Sequence, residues 1–169
     1  MPKGDTGGAH EFAQLVKGVV DELNLHEGYA KKWGVDMTSV TPVPQCKAYV
    51  DFLMEVAESA DYDVASCAAA MVPCMRLYAY LGQTIKAQQQ QQRRPGGAGQ
   101  FQEWVDTYAD PGFEELAATL EALLDRYASA ASKEEVNKLR SLYVRAMELE
   151  LDFFEAWSPR GEAGTKEEL

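Results

Sequence analysis

Histidine is nearly absent: His10 and His26 are the only two in 169 residues. Beside them stand three cysteines, Cys46, Cys67 and Cys74, with no clustered Cys/His spacing, so a metal site has no support. An odd number of irregularly spaced cysteines is also a poor disulfide framework. Reduced thiols in an intracellular, cytoplasmic setting are expected instead. Positive charge is short as well: 16 Lys and Arg against 27 Asp and Glu leave a net charge of −11. Little remains to neutralise phosphates, which argues against nucleic acid and anionic membrane as partners. No apolar run approaches the roughly 20 residues that span a bilayer. The polar, Gly-rich start, Met1–Gly8, does not read as a secretory signal. There is no Gly-rich phosphate loop and no nucleophile elbow, since Gly96-Gly97 follows no strand. No internal repeat is visible. No segment alternates with period two, and no hairpin turn joins two apolar runs, so a sheet is not expected.

What is present reads as one helical domain. Hydrophobic residues make up 46% of the chain, enough for a real core at this length. Three segments have compositions that cannot bury apolar surface: a leader over 1–9, a Gln-rich stretch over 86–100 and a tail over 158–169. The middle one is expected as a surface loop, which a fold tolerates at small entropic cost. Between them, residues 10–157 show helical periodicity. A first helix over about His10–Trp33 places Phe12, Leu15, Val16, Val19, Leu23, His26 and Ala30 on one stripe, and Gly34 ends it. A second, about Gln45–Ser59, carries Tyr49, Phe52, Leu53 and Val56 on one face. A third runs from about Asp63 to Ile85, and a short one covers Phe101–Tyr108. Asp110-Pro111 marks the start of a fifth, with a capping side chain and proline in the first turn. Ser132-Lys133-Glu134-Glu135 is a capping box that opens the last, which continues to about Trp157. The expected class is all-α, a helical bundle.

Several residues break the ordinary apolar pattern. On the last helix, Leu139, Leu142, Tyr143, Ala146, Leu149, Phe153 and Trp157 share a face, and Glu150 falls inside it. A carboxylate there is costly unless paired, hydrogen-bonded or protonated. It suits acid–base chemistry, or it is a structural glutamate paired with Arg76 or Arg145. On the third helix, Cys74 and Tyr78 are four apart and adjacent on one face. Pro73, directly before the thiol, removes a helical hydrogen bond and favours a kink that opens space there. Small buried hydrophobes are the alternative reading of Cys67 and Cys74. Tyr49, Tyr78 and Tyr108 all fall at inward positions, where phenols either line a pocket for a flat polar ring or fill a core. His26, on an apolar stripe, reads as a core histidine.

These residues sit in recognisable surroundings. Met71-Val72-Pro73-Cys74-Met75-Arg76-Leu77-Tyr78 resembles the Pro-Cys-x-x-x-Tyr segment of the TenA/thiaminase II family, most closely its plant and algal branch. Four more segments match in the same order: Glu22-Leu23-Asn24-Leu25-His26, Ala48-Tyr49-Val50-Asp51-Phe52-Leu53, Trp104-Val105-Asp106-Thr107-Tyr108 and Glu150-Leu151-Asp152-Phe153-Phe154. The resemblance covers about Gln14–Trp157. It implies a haem oxygenase-like helical bundle that hydrolyses aminopyrimidines derived from thiamin, or thiamin itself, without a cofactor. By resemblance Cys74 is the nucleophile that adds to the pyrimidine, Glu150 donates and accepts protons, and Tyr49, Tyr78 and Tyr108 surround the ring. A homo-oligomer is expected on the same ground. The family's opening helices, which carry an aspartate that holds the pyrimidine amino group, have no counterpart in Met1–Phe12. An inactive remnant, an interaction module and a truncated reading of a longer gene are therefore the competing accounts, and an uncovered apolar face is expected. The quinone-cofactor synthases of the same fold are a distant alternative, since they depend on a His/Arg-rich pocket and this chain has two histidines.

Overall fold

The computed structural model describes residues 6–92 and 98–157. Its regular elements are all helical: α1 (Thr6–Lys32), α2 (Pro44–Glu58), α3 (Val64–Gln91), a single 3₁₀ turn (Gly99–Phe101), α4 (Gln102–Tyr108), α5 (Pro111–Ala130) and α6 (Lys133–Trp157). Most boundaries follow from local chemistry. The Asp63 side chain accepts from Ser66 N at 2.9 Å and caps α3. Asp110 accepts from Gly112 N at 2.8 Å, with Pro111 in the first turn of α5. At the head of α6, Ser132 N donates to Glu135 Oε2 and Glu135 N donates to Ser132 Oγ, both bonds of the capping box. Gly34, after α1, takes φ +66°, a conformation that other residues resist.

α3 is the central helix and packs against α2, α4, α5 and α6. It can do so because its buried positions are small: Ala68, Ala69, Ala70, Ala79 and Gly82. One core cluster joins Ala68 and Val72 to Leu15 of α1 and Leu120 and Leu123 of α5. The other joins Ala69 and Ala70 to Val56 of α2 and Leu139 and Leu142 of α6. Arg76 adds a polar clamp between α3 and α5, donating to both oxygens of Glu114 and both of Glu121 at 2.6 to 2.9 Å. At Gly82 the helices nearly touch. A Cβ there would lie 2.4 Å from the Tyr108 carbonyl carbon, so only glycine lets α4 settle on α3.

Five expectations from the sequence are corrected. Residues Lys86–Gln91 are helical, not loop, because glutamine is a good helix former and simply extends α3. Helix α1 already includes Thr6–Ala9, part of the supposed leader; residues 1–5, 93–97 and 158–169 lie outside the described ones. α3 is in fact long and apolar enough to cross a bilayer by length and composition, although Ala68, Ala69, Ala70, Val72, Pro73 and Ala79 are buried inside the bundle. The α1 stripe, finally, is not a core face. Leu15 and Ala30 are buried, but Val16 (62% exposed), Val19 and Leu23 (63%) face outward, because α5 is the helix whose backbone α1 approaches. An uncovered apolar face is thus present. His26 is not a core residue either: it is exposed and lies beside Glu22.

Candidate active site

The candidate residues come from four helices. Cys74 and Tyr78 stand one turn apart on α3, Tyr49 comes from α2, Glu150 from α6 and Tyr108 from α4. α3 runs on through Pro73, which is itself buried. Tyr49 feels Cys74, Glu150 and Tyr78, which puts all four side chains in one neighbourhood. Tyr108 closes the group from the other end, its ring centroid 5.0 Å from that of Tyr78. Trp104 (4.8 Å) and Phe113 (4.9 Å) pack on Tyr108, and Phe154 lies 6.2 Å from Tyr78.

Glu150 is 2% exposed. Burial raises its pKa above the usual carboxylate range, and the Cys74 thiol and Tyr49 hydroxyl pull it back in part. Neither Arg76 nor Arg145, the two arginines that could make Glu150 a structural pair, is held by it. Arg76 is committed to Glu114 and Glu121, and Arg145 reaches Glu148 at 3.3 Å. The Tyr49 hydroxyl is buried within reach of Glu150 but makes no hydrogen bond of full geometry. A buried acid with no cation among the groups that shift it, held only by a phenol and a thiol, is costly for a core and apt for a site that binds a polar ligand.

Cys74 departs from one expectation. A nucleophilic thiol commonly has a lowered pKa. Here burial pushes it well up, and the charges of Glu150 and Glu22 push the same way. The thiol is therefore protonated at neutral pH, and attack requires a base within reach. Burial also raises the phenols of Tyr49, Tyr78 and Tyr108, so all three stay neutral donors.

One participant had no role in the reading of the sequence. Glu22 of α1 accepts a hydrogen bond from Tyr108 Oη at 2.9 Å, and its Oε1 lies 3.6 Å from His26 Nε2. His26 and, less strongly, the Tyr108 hydroxyl hold its carboxyl below the usual range despite partial burial. A signal was available. At 100° per residue Glu22 lies within about 20° of Leu15, the buried centre of α1, on the side away from the valines. An open cleft of about 990 Å³ lies between α1 and the α4–α5 corner. Its walls include Glu22, Leu25, Trp33, Tyr108 and Phe113, but not Cys74 or Glu150. It reaches the aromatic end of the site rather than the thiol. Among the described residues no group of three or more His, Cys, Asp and Glu is placed to hold a metal ion.

The chain has relatives among known proteins. The family model described as the TENA/THI-4/PQQC family matches residues 7–159. The chain belongs to this family. It is 28% identical over 164 residues to a bifunctional TH2 protein, mitochondrial, of Arabidopsis thaliana, covering 86% of this chain and 26% of that protein. It is 28% identical over 150 residues to an aminopyrimidine aminohydrolase of Halalkalibacterium halodurans, covering 85% and 63%. It is 34% identical over 143 residues to a thiamine biosynthesis multifunctional protein of Corynebacterium efficiens, covering 83% and 18%. The chain thus spans less than two thirds of each of these relatives. Among solved structures, a TenA family transcription regulator from Silicibacter superposes with a TM-score of 0.67 at 22% identity, over 82% of this chain and 61% of that one. That likeness establishes the all-α TenA fold and nothing about activity.

Proposed function

We propose that this chain carries the hydrolytic centre of an aminopyrimidine aminohydrolase acting on thiamin-derived pyrimidines, with Cys74 as nucleophile and Glu150 as acid and base. The carrying observation is the convergence of Cys74, Tyr49 and a buried Glu150 that no cation offsets. Relatives named for aminopyrimidine hydrolysis and thiamine biosynthesis support the substrate class.

The chemistry follows from the ionisation states. Cys74 is protonated, so its sulfur attacks a ring carbon only as its proton passes to Glu150. A carboxyl whose pKa is raised by burial is a stronger base than an exposed one. Attack on the carbon next to the substituted one shifts the ring electrons outward and expels the amine from the adjoining methylene, and the amine leaves with the proton held by Glu150. Water then adds to that methylene, giving its hydroxyl to carbon and its proton to Glu150. The electrons return to the ring, the carbon–sulfur bond breaks, and the thiolate takes the proton back. One amine is replaced by one hydroxyl, and both protein groups are restored. Tyr49, Tyr78 and Tyr108, kept neutral by burial, would surround the flat ring; Tyr49 and Tyr78 would donate to its nitrogens, while Tyr108, whose proton goes to Glu22, would pack against it. The same proposal includes a cytoplasmic location and a homo-oligomer that covers the exposed α1 face.

A second reading rests on that face. Val16, Val19, Val20 and Leu23 stand exposed on one side of α1, as in a helix that docks on a partner, and a non-catalytic interaction module would use them. Turnover separates the two. Purified protein should convert 4-amino-5-aminomethyl-2-methylpyrimidine to the hydroxymethyl product, and Cys74→Ala should not. A folded wild-type chain without turnover would favour the interaction module.

A further inference from the structure

The segment Glu22–His26 is left over by the chemistry just described, yet its side chains are tied to the site. Tyr108 Oη gives its only proton to Glu22 at 2.9 Å, and the other neighbour of Glu22 is His26, one turn along α1 and 3.6 Å away. Tyr108 packs at 5.0 Å on Tyr78, which stands one turn from Cys74. His26 is exposed, so the contacts lead from Tyr78, beside Cys74, through Tyr108 and Glu22 to solvent. We propose that Glu22 is a positioning residue, which fixes the Tyr108 hydroxyl and links it to the solvent-facing imidazole of His26, so that the aromatic wall and the protonation of His26 are coupled.

Other charged groups near the cleft have their own partners. Glu103 is held by Lys32 at 2.6 Å and Asp106 by Lys86 at 3.2 Å, while Asp110 caps α5. Asp21 pairs with Lys17. The groups that govern Glu22 are thus His26 from its own helix and Tyr108 from α4, and Glu22 in turn acts on Cys74 and Tyr78 of α3. The carboxylate charge disfavours the thiolate, and a protonated His26 offsets that charge. Glu22 also holds the pKa of His26 above the usual histidine value.

The consequence for turnover rests on the proposed hydrolase, but the link itself can be read without it. With two histidines in the chain, the ring signals of His26 are followed by NMR from pH 5 to 9 in the wild type, Glu22→Gln and Tyr108→Phe. The raised midpoint of His26 should fall in Glu22→Gln. In Tyr108→Phe it should rise further, because Glu22 loses a donor and becomes more basic. Identical titrations in all three proteins would overturn the proposal, and Tyr108→Phe, which keeps the ring, guards against misfolding as an explanation. In the activity arm, Glu22→Gln should lower kcat roughly tenfold to a hundredfold, the weight of a lost charge-assisted hydrogen bond, with KM little changed. Glu22→Asp should recover part of it. A wild-type chain inactive on the aminopyrimidine but with the expected His26 shifts would remove the hydrolase reading and leave the coupling established. Full activity in Glu22→Gln would contradict the positioning role.

Discussion

Glu150→Gln should make the protein more stable at neutral pH while removing the chemistry proposed for the site. Glu150 is 2% exposed, and no cation figures among the groups that shift its ionisation. An unfolded glutamate titrates near its ordinary value of 4.5, whereas burial raises the folded one. Below about pH 4.5 both states hold the proton, and ionisation costs the fold nothing. As pH rises above that value the unfolded chain releases its proton first, so the fold loses stability until the folded carboxyl also ionises. Glutamine keeps the shape and the hydrogen-bonding capacity without the charge. Its advantage at pH 7.5 should be about 1–3 kcal/mol, the usual cost of an uncompensated buried polar or charged group. For a chain of this size that is a rise in Tm of roughly 2–10 °C. Thermal unfolding of wild type and variant at pH 7.5 and pH 4 is the assay. The gain should be present at pH 7.5 and largely absent at pH 4. A variant less stable than wild type at both pH values would refute the reasoning, since it would mean that Glu150 is a satisfied structural residue.

Three other outcomes follow from the packing and the charges. Gly82→Ala should destabilise the fold by about 1–3 kcal/mol, because the new Cβ meets the Tyr108 and Ala109 backbone and neither can rotate away; denaturant unfolding measures it, and a neutral substitution would mean that α4 rides freely on α3. Ser132→Ala should lower stability by about 1 kcal/mol through loss of the α6 capping box, read in the same way. Iodoacetamide should modify Cys74 slowly at pH 7.5 and faster as pH rises, by peptide mapping, and Glu150→Gln should speed that reaction by removing the adjacent charge; unchanged rates would place the carboxylate too far away to act on the thiol.

The helices were legible wherever a local signal fixed them. The Asp110-Pro111 start, the Ser132–Glu135 box and Gly34 after α1 each act through near neighbours in sequence, and the structure uses all three. Glu150 was visible because the α6 stripe is broad and has one acid in it, and Leu139, Leu142, Ala146, Leu149 and Glu150 are all buried. Periodicity failed on α1 for a physical reason. A helix whose backbone approaches only one other, here α5, buries a narrow strip, Leu15 with Gly18 and Glu22 beside it, and leaves the more hydrophobic valine side uncovered. Hydrophobicity alone then points to the wrong face, and with it Glu22 and His26 lose their place in the site. The Gln88–Gln92 run misled in the other direction: low complexity suggested a loop, but glutamine has good helix propensity and α3 carries on to Gln91. The state of the Cys74 thiol was not legible at all, since it depends on burial and on two acids from other helices.

The most direct test of the account is turnover of 4-amino-5-aminomethyl-2-methylpyrimidine, followed by release of ammonia, with purified wild type, Cys74→Ala and Glu150→Gln side by side. The account predicts turnover by the wild type, none above background in Cys74→Ala, and a loss of at least about a hundredfold in Glu150→Gln, in line with removal of a general acid–base group. Equal rates in wild type and Cys74→Ala, or a folded wild type that leaves the pyrimidine untouched, would contradict it.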